Sequence, residues 1–169
     1  MVAEAAAEQL GATIRFMPAL EQPFKGTKHQ ASGAQRAAML ELAVAGNPRF
    51  KVEPIELDLP APSYTVRTLR ALAAREPGNR FTLLLGADAA RDLPSWFEVE
   101  ALPGLADVVT FARAGTPPAE HRLVSGSVKV PTIDLSATDI RRRVRAGRSI
   151  RYLVPEAVRA YVAEHGLYR

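Results

Sequence analysis

Hydrophobic and polar residues along the chain alternate between a helical period and short runs typical of buried strands. The helical period predicts helices over Val2–Leu10, Thr65–Arg75 and residues 32–46, 87–93, 138–146 and 155–165. Apolar runs bounded by glycine, proline and polar residues predict strands over residues 13–17, 50–57, 81–85, 108–112 and 128–133. Strands that alternate with helices favour an α/β fold with a mostly parallel sheet.

Residues at the predicted helix ends support these boundaries. Gly11 follows the first helix, at a position where glycine adopts the left-handed conformation that ends many helices. Ser32 and Gln35 have the spacing of a capping box, and Thr65 is a predicted N-cap. Pro155 is predicted to occupy the first position of the last helix, where its missing N–H costs nothing.

The segment from Ser136 to Arg141 predicts a helix start that suits an anion. Ser136 is a good N-cap, and Asp139 three residues later completes the pattern of a capping box. The first turn of a helix has N–H groups without partners and a positive potential from the macrodipole. Two hydroxyls, of Ser136 and Thr138, and the guanidinium of Arg141 add phosphate-binding groups. The alternative interpretation is a capped surface helix with a solvated basic face.

Composition limits the class of protein. A length of 169 residues fits one domain with a hydrophobic core, over residues 1–169. The absence of cysteine excludes disulfides and cysteine metal sites. The apolar runs are too short to span a bilayer, and Glu4 and Glu8 interrupt any signal-peptide pattern. We therefore expect a cytoplasmic protein that does not enter membranes.

Charge is unevenly distributed along the chain. The formal net charge is +4, yet residues 1–100 carry a net charge of −1 and residues 101–169 one of +5. Six arginines lie in the segment from Arg141 to Arg151, which contains no acidic residue. This asymmetry predicts an anionic partner, either a nucleotide or a nucleic acid.

Ligands of open parallel sheets bind at the carboxyl ends of the strands, so the residues that follow the predicted strands are candidates. Gly86 lets a ligand approach the backbone, and Asp88 can accept hydrogen bonds from ribose hydroxyls, although Asp88 can also serve as a helix cap. Lys25 lies in a glycine- and proline-containing loop where it is a candidate for phosphate binding or a solvated residue. Trp96, the only tryptophan, is either a core or lid residue or a platform for a planar ring.

Several short motifs in this order and spacing closely resemble the bacterial nicotinate-nucleotide adenylyltransferases of the nucleotidyltransferase superfamily. The resemblance extends from about Ala3 to Arg169. The motifs are Pro62-Ser63-Tyr64-Thr65, Leu85-Gly86-Ala87-Asp88, Leu93-Pro94-Ser95-Trp96, Ser136-Ala137-Thr138 with Ile140-Arg141, and Tyr152-Leu153-Val154-Pro155.

The resemblance implies a Rossmann-like nucleotidyltransferase fold and the transfer of AMP from ATP, with Mg²⁺, to nicotinate mononucleotide. The products would be deamido-NAD and pyrophosphate. By resemblance, the nicotinate half of the site comprises Thr65, Trp96 and Phe97. Trp96 would stack on the pyridine ring, and backbone at the other two would hold its carboxylate. The implied ATP-binding residues are Ser136, Thr138, Arg141, Gly86 and Asp88. The implied catalytic residues are Arg141 and Lys25.

The sequence departs from the family at its start. The family's first strand and His-x-Gly-His motif have no counterpart here, so we expect the sheet to lack its first strand. The explanations are a misassigned gene start, a fragment, or a degenerate relative that binds nucleotides without turnover. Phe24 is a second departure, where the family usually has a histidine, although Lys25 keeps the basic position that follows.

Other functions remain alternatives. The arginines from Arg141 to Arg151 are compatible with a nucleic-acid-binding module, but Tyr152 is the only aromatic residue beside them, which disfavours single-strand binding. A sister adenylyltransferase that uses nicotinamide mononucleotide or phosphopantetheine is closer, but Trp96 and the Tyr64-Thr65 pair favour the nicotinate substrate. The sequence leaves the oligomeric state open, a homo-oligomer being one alternative.

Overall fold

A computed structural model of the chain describes residues 1–20, 31–112, 121–131 and 133–169. Its α-helices are α1 (Val2–Leu10), α2 (Gly33–Val44), α3 (Ile55–Asp58), α4 (Thr65–Arg75), α5 (Ala87–Arg91), α6 (Ala137–Arg145) and α7 (Glu156–Glu164). Its strands are β1 (Ile14–Phe16), β2 (Phe50–Val52), β3 (Thr82–Gly86), β4 (Asp107–Phe111) and β5 (Val124–Val128). Two short 3-10 helices, Leu93–Ser95 and Val99–Gly104, follow α5. The alternation of helices and strands confirms the predicted α/β class.

The chain divides into two units by its contacts. Unit 1 comprises Met1–Ala12 and Leu59–Ile133, and unit 2 comprises Thr13–Asp58 and Asp134–Arg169. The prediction of a single domain over residues 1–169 stays a prediction.

Unit 1 is built on a parallel three-stranded sheet of order β3-β4-β5. Its strands are mostly apolar because helices cover parallel sheets, and the register pairs Leu84 with Val109. The core joins α4, α5 and the 3-10 helices to this sheet, and Leu93 and Leu102 are fully buried in it. The carboxyl end of β3 therefore runs directly into α5 at Gly86.

Unit 2 contains the parallel pair β1-β2, in which the rings of Phe16 and Phe50 meet edge to face with centroids 5.3 Å apart. Its second core forms around Ala31, Ile150, Val162 and Leu167, with Ile140 of α6 packed against it. All strand pairs in the described parts of both units are parallel, as predicted.

The predicted helix signals are largely confirmed. Helices α1 and α4 have the predicted bounds, and Gly11 ends α1 in the left-handed region with φ 59°. The capping box of α2 forms both bonds: Gln35 N–H donates to Ser32 Oγ (3.1 Å), and Ser32 N–H donates to Gln35 Oε1 (2.8 Å). Within the described ranges, no helix is long and apolar enough to cross a membrane.

The predicted strand over residues 50–57 is wrong beyond Val52, because α3 occupies Ile55–Asp58. The buried carboxylate of Glu53 pairs with Arg15 at 3.4 Å and accepts a hydrogen bond from the Ile55 N–H at 3.2 Å. That bond satisfies one of the N–H groups that a helix start leaves open, and Pro54 is compatible with the first turn. Local side-chain capping thus overrides the strand-like apolar alternation.

The predicted strand over residues 128–133 is also misplaced, since β5 covers Val124–Val128. Its two valines flank Ser125, Gly126 and Ser127, and its first four residues alternate between partly buried and exposed, a pattern that suits an edge strand better than a buried run. Directly after it, the backbone of Lys129 bonds the side chain of Gln9 rather than a neighbouring strand. The apolar residues that predicted this strand lie mostly beyond its end.

Three boundary predictions are corrected. Tyr64, not Thr65, is the N-cap residue of α4. Pro155 is the N-cap residue of α7 rather than its first helical residue. The helix predicted over residues 87–93 ends at Arg91, and a 3-10 turn begins at Leu93.

Candidate active site

The N-terminus of α6 in unit 2 is organised by Ser136. Its Oγ accepts a hydrogen bond from the Asp139 N–H at 3.0 Å and donates its own proton to Asp139 Oδ2 at 2.6 Å. The Asp139 side chain therefore bonds the Ser136 hydroxyl, where a complete capping box would bond the Ser136 backbone N–H. Because its single proton is committed to Asp139, Ser136 acts as a helix cap, and its predicted role in phosphate binding stays a prediction.

Thr138 and Arg141 offer free groups one helical turn apart. Arg141 Nη2 donates to Thr138 Oγ1 at 3.2 Å, and the exposed Thr138 hydroxyl donates to none of the described residues. Its O–H proton and the helix N–H groups are then available to an anion. Of the hydroxyls predicted to bind phosphate, Thr138 has the better geometry.

Arg141 carries a charge that no carboxylate neutralises in the described parts of the chain, whereas its neighbour Arg142 pairs with Asp139 at 2.6 Å. The group beside Arg141 is the phenol of Tyr168. Burial raises the pKa of Tyr168, while the guanidinium groups of Arg141 and Arg36 act to lower it. A neutral phenol leaves the positive charge of Arg141 available to a ligand.

Gly86 and Asp88 lie at the junction of β3 and α5 in unit 1. The Gly86 backbone is ordinary (φ −63°, ψ 148°), and among the described residues a Cβ at this position would meet only the Phe111 ring, at 3.6 Å. The fold therefore gives no reason for glycine, which favours the interpretation that a ligand approaches here. The Asp88 carboxylate is well exposed and pairs with Arg91 in the same helix.

Thr65 and Phe97 are brought together by an aromatic stack in unit 1. Tyr64, directly before Thr65, stacks on Phe97 with ring centroids 4.5 Å apart and planes at 25°. The backbone N–H groups of Thr65 and Phe97 have no acceptor among the described residues, so both are available to a carboxylate.

Trp96 is half-buried and packs against the core of unit 1, and its backbone N–H donates to Leu93 O at 3.0 Å. Packing against the core restricts the indole while part of the residue stays exposed, as a stacking platform requires. The core and ligand-binding interpretations of Trp96 are therefore compatible.

The sequence analysis missed Arg67. Its guanidinium lies 4.9 Å from the Tyr64 ring centroid and 5.1 Å from that of Phe97. The i, i+3 spacing of Tyr64 and Arg67 on one helix face was a detectable signal, but the contact with Phe97 depends on tertiary structure. Lys25, predicted to be catalytic, lies outside the described residues, as does Phe24.

Comparison with protein-family models matches residues 1–143 to the cytidylyltransferase-like family. Two curated relatives carry the name probable nicotinate-nucleotide adenylyltransferase. The protein from Roseiflexus sp. (strain RS-1) is 44% identical over 167 residues, covering 92% of this chain and 82% of its own length. That from Thermus thermophilus is 45% identical over 156 residues, covering 92% and 83%. The chain belongs to the nicotinate-nucleotide adenylyltransferase family.

The fold of this adenylyltransferase chain is that of solved relatives. Plasmodium falciparum nicotinic acid mononucleotide adenylyltransferase complexed with NaAD superimposes with a TM-score of 0.75 at 16% identity, covering 99% of this chain and 90% of that one. The match confirms the Rossmann-like nucleotidyltransferase fold that the motifs implied. The roles of the individual site residues stay predictions.

Proposed function

We propose that this chain transfers AMP from ATP to nicotinate mononucleotide, releasing pyrophosphate and forming deamido-NAD. The proposal is supported by the names of its relatives and, within the molecule, by one observation above all. At the start of α6, an exposed hydroxyl and an arginine without a carboxylate partner lie 3.2 Å apart beside open helix N–H groups. That combination suits the phosphates of a nucleotide.

In the proposed reaction, an oxygen of the mononucleotide phosphate attacks the α-phosphorus of ATP. The bond from that phosphorus to the oxygen bridging to the β-phosphate breaks, and its electron pair leaves with pyrophosphate. Such a transfer depends on positioning and charge neutralisation more than on a covalent catalyst. Thr138 would donate to a phosphate oxygen, and Arg141 would neutralise charge that grows on the leaving group.

Three residues of unit 1 would bind the acceptor, and Gly86 and Asp88 of the same unit would contact ATP. The N–H groups of Thr65 and Phe97 would hold the pyridine carboxylate, and Trp96 would stack on the ring. Gly86 would allow close approach of a nucleotide, and Asp88 would accept from ribose hydroxyls.

ATP would be used as its Mg²⁺ complex. Mg²⁺ keeps several water ligands and binds substrate phosphates with few protein ligands. Within the described ranges, no group of three histidine, aspartate or glutamate side chains could hold a metal.

The test measures pyrophosphate release with both substrates. We expect Thr138→Val and Arg141→Met each to lower kcat/KM for ATP about 10- to 100-fold, because each removes a group that binds the reacting phosphates. Arg142→Met is the matched control: its guanidinium is paired with Asp139, so it should stay within about twofold of wild type. Ser136→Ala should lower stability by about 1 kcal/mol through loss of the cap. It should affect kcat/KM less than Thr138→Val does.

Two outcomes would contradict the proposal. If the wild-type chain binds both nucleotides yet releases no pyrophosphate, the alternative of a binding-only relative holds. If Arg141→Met behaves as Arg142→Met does, the start of α6 is not the phosphate site.

A further inference from the structure

Three side chains in unit 1 form a small assembly, here called the Arg67 clamp, composed of Tyr64, Phe97 and Arg67. The Tyr64 and Phe97 rings stack at 4.5 Å, and the Arg67 guanidinium lies about equally close to both. Cation–π contact with two rings restrains an exposed arginine that would otherwise sample many rotamers. The clamp thus holds a positive charge against the rings of Tyr64 and Phe97, at the start of α4.

This charge has no carboxylate partner among the described residues. One turn further along the same helix, Arg70 forms an ion pair with Glu98 at 2.5 Å. Both arginines are exposed, yet Arg70 contacts a carboxylate whereas Arg67 contacts aromatic rings. The position of Arg67 also opposes helix stability, because the first turn of α4 already has positive potential and contains no acidic residue. An arginine at an unfavourable helix position that is held by aromatic rings, with no carboxylate partner among the described residues, is typical of a functional position.

We infer that Arg67 is a specificity-determining residue that favours a pyridine mononucleotide with a ring carboxylate over the corresponding carboxamide. The inference rests on the proposed function, in which the N–H groups of Thr65 and Phe97 hold that ring substituent. A carboxylate offers two acceptor oxygens to these N–H groups, whereas a carboxamide offers one, so the N–H groups already favour the acid in part. A fixed positive charge nearby adds to this preference, because it attracts the anion and not the neutral amide.

The expected size of this effect follows from the exposure of the clamp. A charge pair near solvent contributes a fraction of a kcal/mol to about 1 kcal/mol, which corresponds to about two- to fivefold in affinity. Arg67 would therefore adjust the ratio of the two affinities rather than create binding.

The experiment measures dissociation constants of nicotinate and nicotinamide mononucleotide by calorimetry, and kcat/KM for both with ATP. Arg67→Met keeps an apolar side chain against the rings and removes the charge, whereas Arg67→Lys keeps the charge. The double variant Arg70→Met with Glu98→Gln is the control, because it removes the neighbouring ion pair without changing the net charge.

We expect Arg67→Met to weaken binding of the acid about two- to fivefold while the amide is unaffected, and Arg67→Lys to restore most of the preference. Added salt should reduce the preference of the wild type and have no effect on that of Arg67→Met. The Arg70 and Glu98 double variant should leave the ratio unchanged.

Two results would overturn the inference, each in a different way. If Arg67→Met weakens acid and amide equally, or leaves both unchanged, the clamp is merely structural and the proposed function still stands. If the wild-type chain binds neither mononucleotide, the proposed function fails and the role of Arg67 fails with it.

Discussion

At the scale of single residues, a substitution of Gly86 can show whether the fold or a ligand requires glycine at this position. Its backbone is in a region open to every residue, and a methyl group there would make only ordinary contact with Phe111. We expect Gly86→Ala to leave the free energy of unfolding unchanged or to raise it by up to about 1 kcal/mol, because alanine restricts the unfolded chain. The same variant should raise the KM for ATP, because the added methyl group would block close approach of a nucleotide.

The matched control is Gly11→Ala. Gly11 has φ 59° and open space around it, so alanine there is strained by its backbone conformation alone. It should lower stability by about 1 kcal/mol without changing KM. Urea denaturation and steady-state kinetics of both variants check the contrast. A loss of stability in Gly86→Ala like that in Gly11→Ala would show that the fold, not a ligand, requires this glycine.

At the scale of elements, one side chain connects α1 to the chain that leaves β5. Gln9 Nε2 donates to Lys129 O at 2.7 Å, and Lys129 N–H donates to Gln9 Oε1 at 3.0 Å. We expect Gln9→Ala to lower the free energy of unfolding by about 1 kcal/mol, since these two hydrogen bonds and a third, from Gln9 Nε2 to Ala5 O, are lost at an exposed position where water replaces them in part.

Gln9→Glu is the internal control, because it keeps the acceptor for the Lys129 N–H and loses the donor. Its stability should fall between those of wild type and Gln9→Ala in equilibrium urea unfolding. Equal stability of wild type and Gln9→Ala would mean that this contact does not hold α1 in place.

The same contact shows where sequence patterns are sufficient and where they are not. Helix ends with local signals, such as Gly11 and the Ser32 capping box, were predictable because their partners lie within a few residues. The end of β5 was not predictable, since the Lys129 backbone that follows it bonds the side chain of Gln9, 120 residues away along the chain. The turn into α3 depends likewise on the burial and pairing of Glu53.

Some features of the candidate site could likewise be predicted from neighbouring residues in the chain, and others could not. The sequence indicated which residue types collect at Thr138 and Arg141, because hydroxyl, arginine and helix start are adjacent in the chain. It did not indicate that the Ser136 proton is committed to Asp139, because a hydroxyl direction is set by geometry. Nor did it indicate Arg67, because the contact of Arg67 with the Phe97 ring joins residues 30 positions apart in the chain.

At the scale of the whole molecule, the two chemistries of the proposed reaction map to different units. The residues proposed to bind phosphate at the start of α6 lie in unit 2, and those proposed to bind the pyridine ring lie in unit 1. Each group is supported by its own core, α6 by the cluster around Ile150 and Val162, and Trp96 by the cluster around Leu93 and Leu102. A ligand of one group should therefore protect backbone N–H groups of that unit and not those of the other.

Hydrogen exchange measures that protection, because an N–H without an intramolecular partner exchanges readily until a ligand bonds it. Pyrophosphate should slow exchange at residues 137–138, and nicotinate mononucleotide should slow it at residues 65–67 and at Phe97. Arg141→Met should abolish only the first protection, and Arg67→Met should weaken only the second, because each removes one charge near one set of N–H groups. If pyrophosphate protected residues 65–67 and left the start of α6 unchanged, the assignment of phosphate binding to Thr138 and Arg141 would be wrong, whatever the activity of the chain.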